Sequence, residues 1–165
     1  MTAVRRATDT LLEGGCERVV VVLGAGVESI RRAVPDRPEV VVVVNEGWPR
    51  GRTGSLKAGI RAAPEAPAWV MLPVDHPLVM PEDVRGLIKA WRPGKVPLVR
   101  PIHEGRGGHP ILLDAALREE ILALDDDEPL RDLLRNYRER ERQTEGSRGT
   151  VLNVDTPEDY ERHRP

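Results

Sequence analysis

Residues 39–59 read EVVVVVNEGWPRGRTGSLKAG, and this stretch predicts a strand, a polar loop and a helix in succession. The continuous valine run after Glu39 is typical of a strand buried on both faces, as strands of parallel sheets are. Glycines then interrupt the loop Asn45–Gly54, and Ser55 lies near the start of a predicted helix that extends to Ala63. A strand that leads through a loop into a helix is the repeating unit of α/β proteins.

The same alternation of strands and helices continues on both sides of this stretch. Upstream, apolar residues at helical spacing predict a helix at Thr2–Leu12, and a valine-rich run predicts a buried strand at Val19–Leu23. The charged stretch Arg138–Arg148 is expected to be a solvated helix end and surface loop. We therefore expect an α/β domain with a mostly parallel sheet and its ligands at one sheet edge. Further strands are predicted at Trp69–Leu72, Val96–Ile102, Pro110–Leu113 and Val151–Val154, and further helices at Val27–Val34, Pro81–Trp91, Asp114–Leu124, Pro129–Arg142 and from Thr156.

The composition excludes several classes of function. The 165 residues carry 25 basic and 27 acidic side chains, so no strong positive field is present to hold a nucleic-acid backbone. The single Cys16 excludes an internal disulfide framework and a thiolate zinc cluster. The longest apolar runs are far shorter than the ~20 residues of a membrane span, and the N-terminus lacks the apolar stretch of a signal peptide. We expect one cytoplasmic domain over residues 1–165 that binds neither nucleic acid nor membranes.

Asp75 is a candidate metal ligand because it follows the predicted strand Trp69–Leu72 and lies between Pro73 and Pro77. Ligands of open α/β sheets bind at strand ends. A rigid carboxylate there suits Mg²⁺, which takes one or two carboxylates together with substrate phosphates. A turn or capping aspartate is the alternative, and we favour the metal-binding interpretation.

Asn153 and Asp155 alternate along the predicted final strand, so their side chains point to the same side. Their oxygens would complete a Mg²⁺ site that Asp75 begins. Asp155 and Thr156 also suit the N-terminus of the next helix, and capping is compatible with a role as ligand.

The stretch Asn45–Gly59 is a candidate anion site, because its glycines leave backbone N–H groups free and a helix begins near Ser55. Arg50, Arg52 and Lys57 add positive charge, and an ordinary solvent-exposed loop is the equally weighted alternative.

Two other segments carry weaker signals. Gly24–Ser29 approaches a dinucleotide-binding fingerprint, but Ser29 replaces the third glycine, so we favour a tight strand-to-helix turn. The four histidines lack the spacing of a zinc site. His109, in the segment Arg106–Pro110, suits either a structural role or contact with a ligand, and we favour the structural role.

Five motifs follow one another along the chain. They are N-x-x-W-x-x-G-x-x-G-S-L-x-x-G at Asn45–Gly59, L-P-x-D-x-P at Leu72–Pro77, G-H-P-I-L-L at Gly108–Leu113, D-x-P-L-R-D-L-L at Asp127–Leu134 and N-V-D-T-P-E-D-Y at Asn153–Tyr160. This series resembles the MobA-like nucleotidyltransferases, and most of all the molybdenum cofactor cytidylyltransferases.

The resemblance implies a Rossmann-like three-layer α/β sandwich of the nucleotide-diphospho-sugar transferase type. It implies transfer of CMP or GMP from CTP or GTP to a phosphate-bearing, molybdopterin-like acceptor with Mg²⁺. In this family pattern Asp75 is catalytic and holds the metal, with Asp155 or Asn153 as the second anchor. The nucleotide would lie against Asn45, Gly54, Ser55 and Gly59, and the acceptor against Gly108 and His109.

The N-terminus departs from the family pattern. Family members begin with a strand and a loop of the type L-A-A-G-x-S-x-R-M-G-x-x-K that cradles the triphosphate, and nothing in this sequence resembles it. The opening helix resembles the one before the family's second strand, so we expect the first strand and the loop to be missing. We expect either an enzyme that obtains this loop from a longer chain or a partner, or a catalytically inactive nucleotide- or partner-binding module. A missing strand leaves a gap or exposed sheet edges, so we also expect a homodimer.

Overall fold

The computed structural model describes residues 2–154, 156, 158, 159 and 162, and its strands form two separate sheets. No helix within these residues is both long and apolar enough to cross a membrane. The helices are α1 (Ala3–Glu13), α2 (Val27–Arg31), α3 (Arg52–Ala62), α4 (Pro81–Trp91), α5 (Arg118–Ala123) and α6 (Leu130–Arg135). The strands are β1 (Val19–Leu23), β2 (Val40–Val44), β3 (Ala68–Met71), β4 (Leu98–His103), β5 (Arg106–Gly107), β6 (Ile111–Asp114) and β7 (Glu141–Glu145).

The smaller sheet consists of β1 and β2, which pair in parallel from Val19↔Val40 to Leu23↔Val44. Both strands lie where the valine runs predict them. Their burial is lower than expected: in β1 only Val19 and Leu23 are fully buried, and in β2 Val44 is 42% exposed. The expectation that both valine runs are buried on both faces is therefore wrong.

The larger sheet has the order β3-β6-β4-β5, and β7 pairs with β4 beside this path. β6 is antiparallel to β3 and to β4, β5 is antiparallel to β4, and only the β4–β7 pair is parallel. The expectation of a mostly parallel sheet is thus wrong for the larger sheet. Short connections without a crossover helix join β4, β5 and β6, and strands linked in this way run antiparallel.

The main hydrophobic core lies on the larger sheet. Helices α5 and α6 cover one face, and α4 covers the other with Leu87 and Trp91. Each of the central strand residues has 2% or less of its surface exposed: Leu98, Val99, Ile111, Leu112 and Leu113. The strand predicted at Pro110–Leu113 is thus present as β6, and it is buried on both faces.

The charged stretch Arg138–Arg148 contains a strand, which corrects the prediction of a helix end and loop. β7 pairs with β4 from Leu98↔Glu141 to Ile102↔Glu145. Its side chains are mostly exposed, as suits a polar edge strand. α6 accordingly ends at Arg135 rather than at Arg142. The strand predicted at Val151–Val154 is also wrong, because a 3-10 turn at Arg148–Val151 precedes irregular backbone there.

Helix α3 begins at Arg52, three residues before the predicted start at Ser55. Its N-terminal cap, Gly51, has φ of 149°, and a Cβ atom there would lie 2.1 Å from the carbonyl oxygen of Asp126. Only glycine fits this backbone conformation and this close approach. Ser55 therefore lies in the first turn of α3 rather than at its cap.

A cavity of about 2100 Å³ lies between the two sheets, lined by every residue of β1 and β3. Within the described residues β1 pairs only with β2, and β3 only with β6, so each strand has one unpaired edge. Leu11 of α1 and Ile60 of α3 contribute to the apolar wall. The sequence pattern predicts a gap or exposed sheet edges, and this cavity with its two unpaired strand edges agrees with that expectation.

Candidate functional site

Asp75 lies in the turn that follows β3, where two cavities meet. The backbone N–H of His76 donates to the carbonyl of Pro73 (3.2 Å) and closes this turn. Asp75 lines both the 2100 Å³ cavity and a smaller polar cavity of about 250 Å³. Arg52 and His109 also line both, so these three side chains stand at the junction.

The Asp75 side chain is held by its neighbour in sequence. Nδ1 of His76 lies 3.0 Å from Oδ1 of Asp75, and a carboxylate can only accept, so the ring nitrogen is the donor. His76 is 6% exposed, and its ring packs edge-on against His109 with centroids 4.8 Å apart. Oδ2 of Asp75 accepts no hydrogen bond from the described residues, and the side chain is 30% exposed.

Asn153 lies at the same cavity, and a backbone hydrogen bond from the next residue holds it beside Asp75. The N–H of Val154 donates to the carbonyl of Asp75 (2.8 Å), and Asn153 lines the smaller cavity beside that carboxylate. The structure thus brings together two of the residues predicted to bind metal, by a backbone hydrogen bond instead of strand alternation. The third, Asp155, lies outside the described residues.

Gly108 and His109 form the opposite wall of the smaller cavity. A Cβ atom on Gly108 would lie 2.2 Å from the carbonyl oxygen of Thr150, and that same carbonyl accepts from the N–H of His109 (2.8 Å). Burial, reinforced by the electrostatic effect of His76 and Arg100, lowers the pKa of His109 to about 4. The imidazole is therefore neutral at neutral pH. Its Nδ1 is buried without a hydrogen-bond partner among the described residues.

The residues predicted to bind nucleotide divide into two pairs. Ser55 and Gly59 line the larger cavity. Asn45 contacts Ser55, because its Nδ2 donates a hydrogen bond to Oγ of Ser55 (3.1 Å). Gly54 faces the Asp126 side chain, which a Cβ atom would approach to 3.1 Å. Neither Asn45 nor Gly54 is among the lining residues of the two cavities described above.

The three basic side chains of this region have different surroundings. Lys57 is 8% exposed; its Nζ lies 2.8 Å from Asp126 and donates to the carbonyl of Leu124 (2.6 Å). Arg50 also pairs with Asp126 (3.1 Å). Arg52 forms no ion pair with any described residue. Arg52 is therefore the one of the three without a carboxylate partner among the described residues, a distinction that the sequence did not reveal.

The turn at Gly24–Ser29 serves the packing of the smaller sheet. Gly26 has φ of 68°, and a Cβ atom on Gly24 would lie 2.7 Å from Cβ of Trp48. These constraints agree with the interpretation of a tight strand-to-helix turn.

Asp75 and Asn153 suit a hard divalent cation that is shared with a substrate. The described residues contain no cluster of three or more His, Cys, Asp or Glu side chains that could hold a metal alone. Mg²⁺ is usually bound by one or two carboxylates, waters and substrate phosphates, without a cage built only of protein. An unshared carboxylate oxygen, a nearby amide and the free Arg52 fit that type of site.

Sequence reasoning missed His76 and Thr150, which also line the smaller cavity; Arg106, another lining residue, belongs to the candidate segment Arg106–Pro110. The adjacency of Asp75 and His76 after a strand was the available signal for His76. Thr150 is brought to the site by a 3-10 turn and carried no recognisable motif.

Comparisons with known proteins agree with this architecture. The family model described as MobA-like NTP transferase domain matches residues 1–143. Nicotine blue oxidoreductase of Paenarthrobacter nicotinovorans is 33% identical over 130 residues, which span 73% of this chain and 61% of that protein. The chain thus matches less than two thirds of this relative's length.

Solved structures show the same fold. Rv0371c from Mycobacterium tuberculosis H37Rv, in a complex with manganese, matches with a TM-score of 0.78 and 25% identity over 98% of this chain and 85% of that one. A nucleotidyl transferase from Methanothermobacter thermautotroptrophicus matches with a TM-score of 0.81 and 23% identity over 98% and 78%. The chain therefore has a nucleotidyltransferase-like α/β fold.

Proposed function

Since the chain belongs to the family of MobA-like NTP transferase domains, we propose that it transfers CMP or GMP from CTP or GTP to a phosphate-bearing, molybdopterin-like acceptor. The observation that carries the proposal is the position of Asp75 at the junction of two cavities, beside Asn153 and the unpaired Arg52. One cavity would receive the nucleotide and the other the acceptor, so the reacting groups would meet at Asp75.

Each residue of the junction has a proposed role. Mg²⁺, held by Asp75 with Asn153 or Asp155, supplies countercharge for the triphosphate when it is bound. Arg52 binds a phosphate of the nucleotide through its guanidinium group. Ser55, supported by Asn45, and Gly59 contact the nucleoside.

The acceptor would bind in the smaller cavity, against Gly108 and His109. Because its pKa is lowered, the His109 imidazole stays neutral and adds no charge to the wall that would face the acceptor. The backbone contact between His109 and Thr150 keeps this wall in place.

A nucleotide- or partner-binding module without catalysis is the second candidate. The observation that favours it is the scarcity of free positive charge beside the candidate anion site: Arg50 and Lys57 pair with Asp126, which leaves Arg52 there and Arg106 elsewhere in the wall of the smaller cavity. Loss of one preorganised donor to the transition state can lower a rate by ~10²–10³-fold. Binding without turnover is the expected behaviour of such a module.

Calorimetric titration of the chain with CTP and with GTP, each with Mg²⁺, tests both candidates. We expect saturable binding that Asp75→Asn abolishes and that the matched variant Asp36→Asn, at an exposed position, leaves unchanged. Pyrophosphate release on addition of molybdopterin then separates the enzyme from the binding module. Absence of binding at millimolar nucleotide would contradict the enzyme and a nucleotide-binding module, and would leave only a partner-binding module.

We further propose that the protein acts in the cytoplasm as a homodimer. The unpaired edges of β1 and β3 support self-association, because free strand edges pair readily with another chain. Light scattering should give twice the chain mass of 18.4 kDa, and a strict monomer would count against the dimer.

A further inference from the structure

We propose that His76 is a positioning residue, which holds one oxygen of the Asp75 carboxylate so that the other is presented to a divalent cation. This inference rests on the proposed function, in which Asp75 is a metal ligand. It assigns a role to a buried histidine that the five sequence motifs leave variable.

The geometry of the Asp75–His76 contact carries the proposal. Nδ1 of His76 donates to Oδ1 over 3.0 Å, and Oδ2 receives no hydrogen bond from the described residues. A carboxylate bound in this way cannot turn freely about its side-chain torsions. Its unshared oxygen is therefore fixed before the cation arrives.

The histidine ring is itself immobile, which the proposed role requires. It is 6% exposed and packs edge-on against His109 at 4.8 Å with an interplanar angle of 68°. Its backbone N–H donates to Pro73, and its carbonyl accepts from Val79 (3.4 Å). Hydrogen-bond partners behind a metal ligand typically contribute 10–100-fold to metal affinity.

Two conservative variants separate positioning from packing. In His76→Asn the amide nitrogen replaces Nδ1 at the same distance from the backbone, so the hydrogen bond to Asp75 is kept. In His76→Gln the amide nitrogen corresponds to Nε2, so that bond is lost while a polar side chain of similar size remains. A role in packing alone would make the smaller Asn the more damaging replacement, whereas positioning makes Gln the more damaging one.

Binding of Mn²⁺, measured from the paramagnetic resonance signal of the free ion with and without CTP, is the test. We expect His76→Gln to bind at least ~10-fold more weakly than the wild type, and His76→Asn to stay within ~3-fold of it. His103→Asn serves as the control, because His103 bonds to Gly146 and not to Asp75. Urea unfolding of each variant verifies that it is folded.

The outcomes distinguish failure of the proposed metal site at Asp75 from failure of the positioning role of His76. If Asp75→Asn binds Mn²⁺ as the wild type does, or the wild type binds none, the proposed metal site and this inference both fail. If Asp75→Asn abolishes binding and His76→Gln keeps wild-type affinity, the proposed function stands and the positioning role of His76 is wrong. Equal losses in the Asn and Gln variants would also overturn it.

Discussion

The valine strands of the smaller sheet and the central strands of the larger one, β4 and β6, are similarly apolar but differ greatly in burial. The smaller sheet, β1 and β2, consists almost only of valine, yet most of these side chains are partly exposed. In the larger sheet β6 is buried along its whole length, and Leu98 and Val99 of β4 are fully buried. The difference arises from their neighbours: β6 lies between two strands and two helical layers, whereas β1 has an unpaired edge at the cavity.

This contrast shows that an apolar run in the sequence indicates that a strand will form, but does not indicate how deeply that strand is buried. Valine favours extended backbone wherever it lies, but burial requires partners on both faces and both edges. The candidate site follows the same division. Asp75 follows β3 and His109 precedes β6 of the larger sheet, whereas Ser55 and Gly59 lie in α3, which packs against the smaller sheet. Ligand binding would therefore join the well-packed and the open part of the molecule.

The largest expected effect is the response of the larger sheet to acid. His109 has its pKa lowered from 6.5 to about 4, chiefly by burial. Below pH 6.5 the unfolded chain binds a proton that the folded chain does not, so stability falls as the pH drops from 6.5 to 4. The loss approaches about 3 kcal/mol, and urea unfolding at pH 4 to 7 measures it. In His109→Leu this part of the acid dependence should be absent; an unchanged slope would contradict the lowered pKa.

The smaller sheet should respond to alkali instead. Burial raises the pKa of the Cys16 thiol from 9.0 to about 11, and this side chain packs beside Val19, where β1 meets α1. Between pH 9 and 11 the unfolded chain releases a proton that the folded chain keeps, so stability falls as the pH rises. The loss approaches about 2–3 kcal/mol.

The Cys16→Ala variant is the control for this alkaline effect, since other groups that titrate above pH 9 are the same in both proteins. Unfolding midpoints at pH 8, 9.5 and 11 should converge between the variant and the wild type. A constant difference across this range would show that Cys16 does not carry the effect.

A pair of equal truncations compares the packing of the sheets directly. Val99→Ala, in the fully buried part of β4, should lower the free energy of unfolding by about 2 kcal/mol, because two methyl groups are lost and a cavity remains. Val42→Ala, in the partly exposed β2, should lower it by less than about 1 kcal/mol. Equal losses would mean that the smaller sheet is as well packed as the larger one.

Much of the fold was predictable from local patterns. The bounds of β1 and α4 agree with prediction. Gly24 ends the valine run of β1, and Pro81 favours the first turn of the helix α4. β7 was not predictable, because Glu141–Glu145 is polar and becomes a strand only by pairing with β4, about forty residues away in the sequence. Backbone hydrogen bonds can outweigh side-chain propensity at an edge.

The candidate site divides in a similar way. Asp75 and His109 were found from short motifs, and Asn153 was expected at the same site for a reason that proved wrong. The difference between Arg50 and Arg52 was not predictable, since it depends on Asp126, which is distant in sequence and close in space. Long-range ion pairs decide which charges are available to a ligand, and no local pattern reports them.

The smallest expected effect on stability comes from two glycines inside helices. Gly59 in α3 faces Val22 of the smaller sheet, where a Cβ atom would make ordinary contact at 3.4 Å, and Gly86 in α4 has open space around it. Gly59→Ala and Gly86→Ala should each raise stability by up to about 1 kcal/mol, the difference in helix propensity. Only Gly59 lines the cavity proposed for the nucleotide, so Gly59→Ala should also weaken CTP binding while Gly86→Ala leaves it unchanged. Urea unfolding and calorimetry on both variants check the pair, and equal CTP affinities would place the nucleoside away from this face of α3.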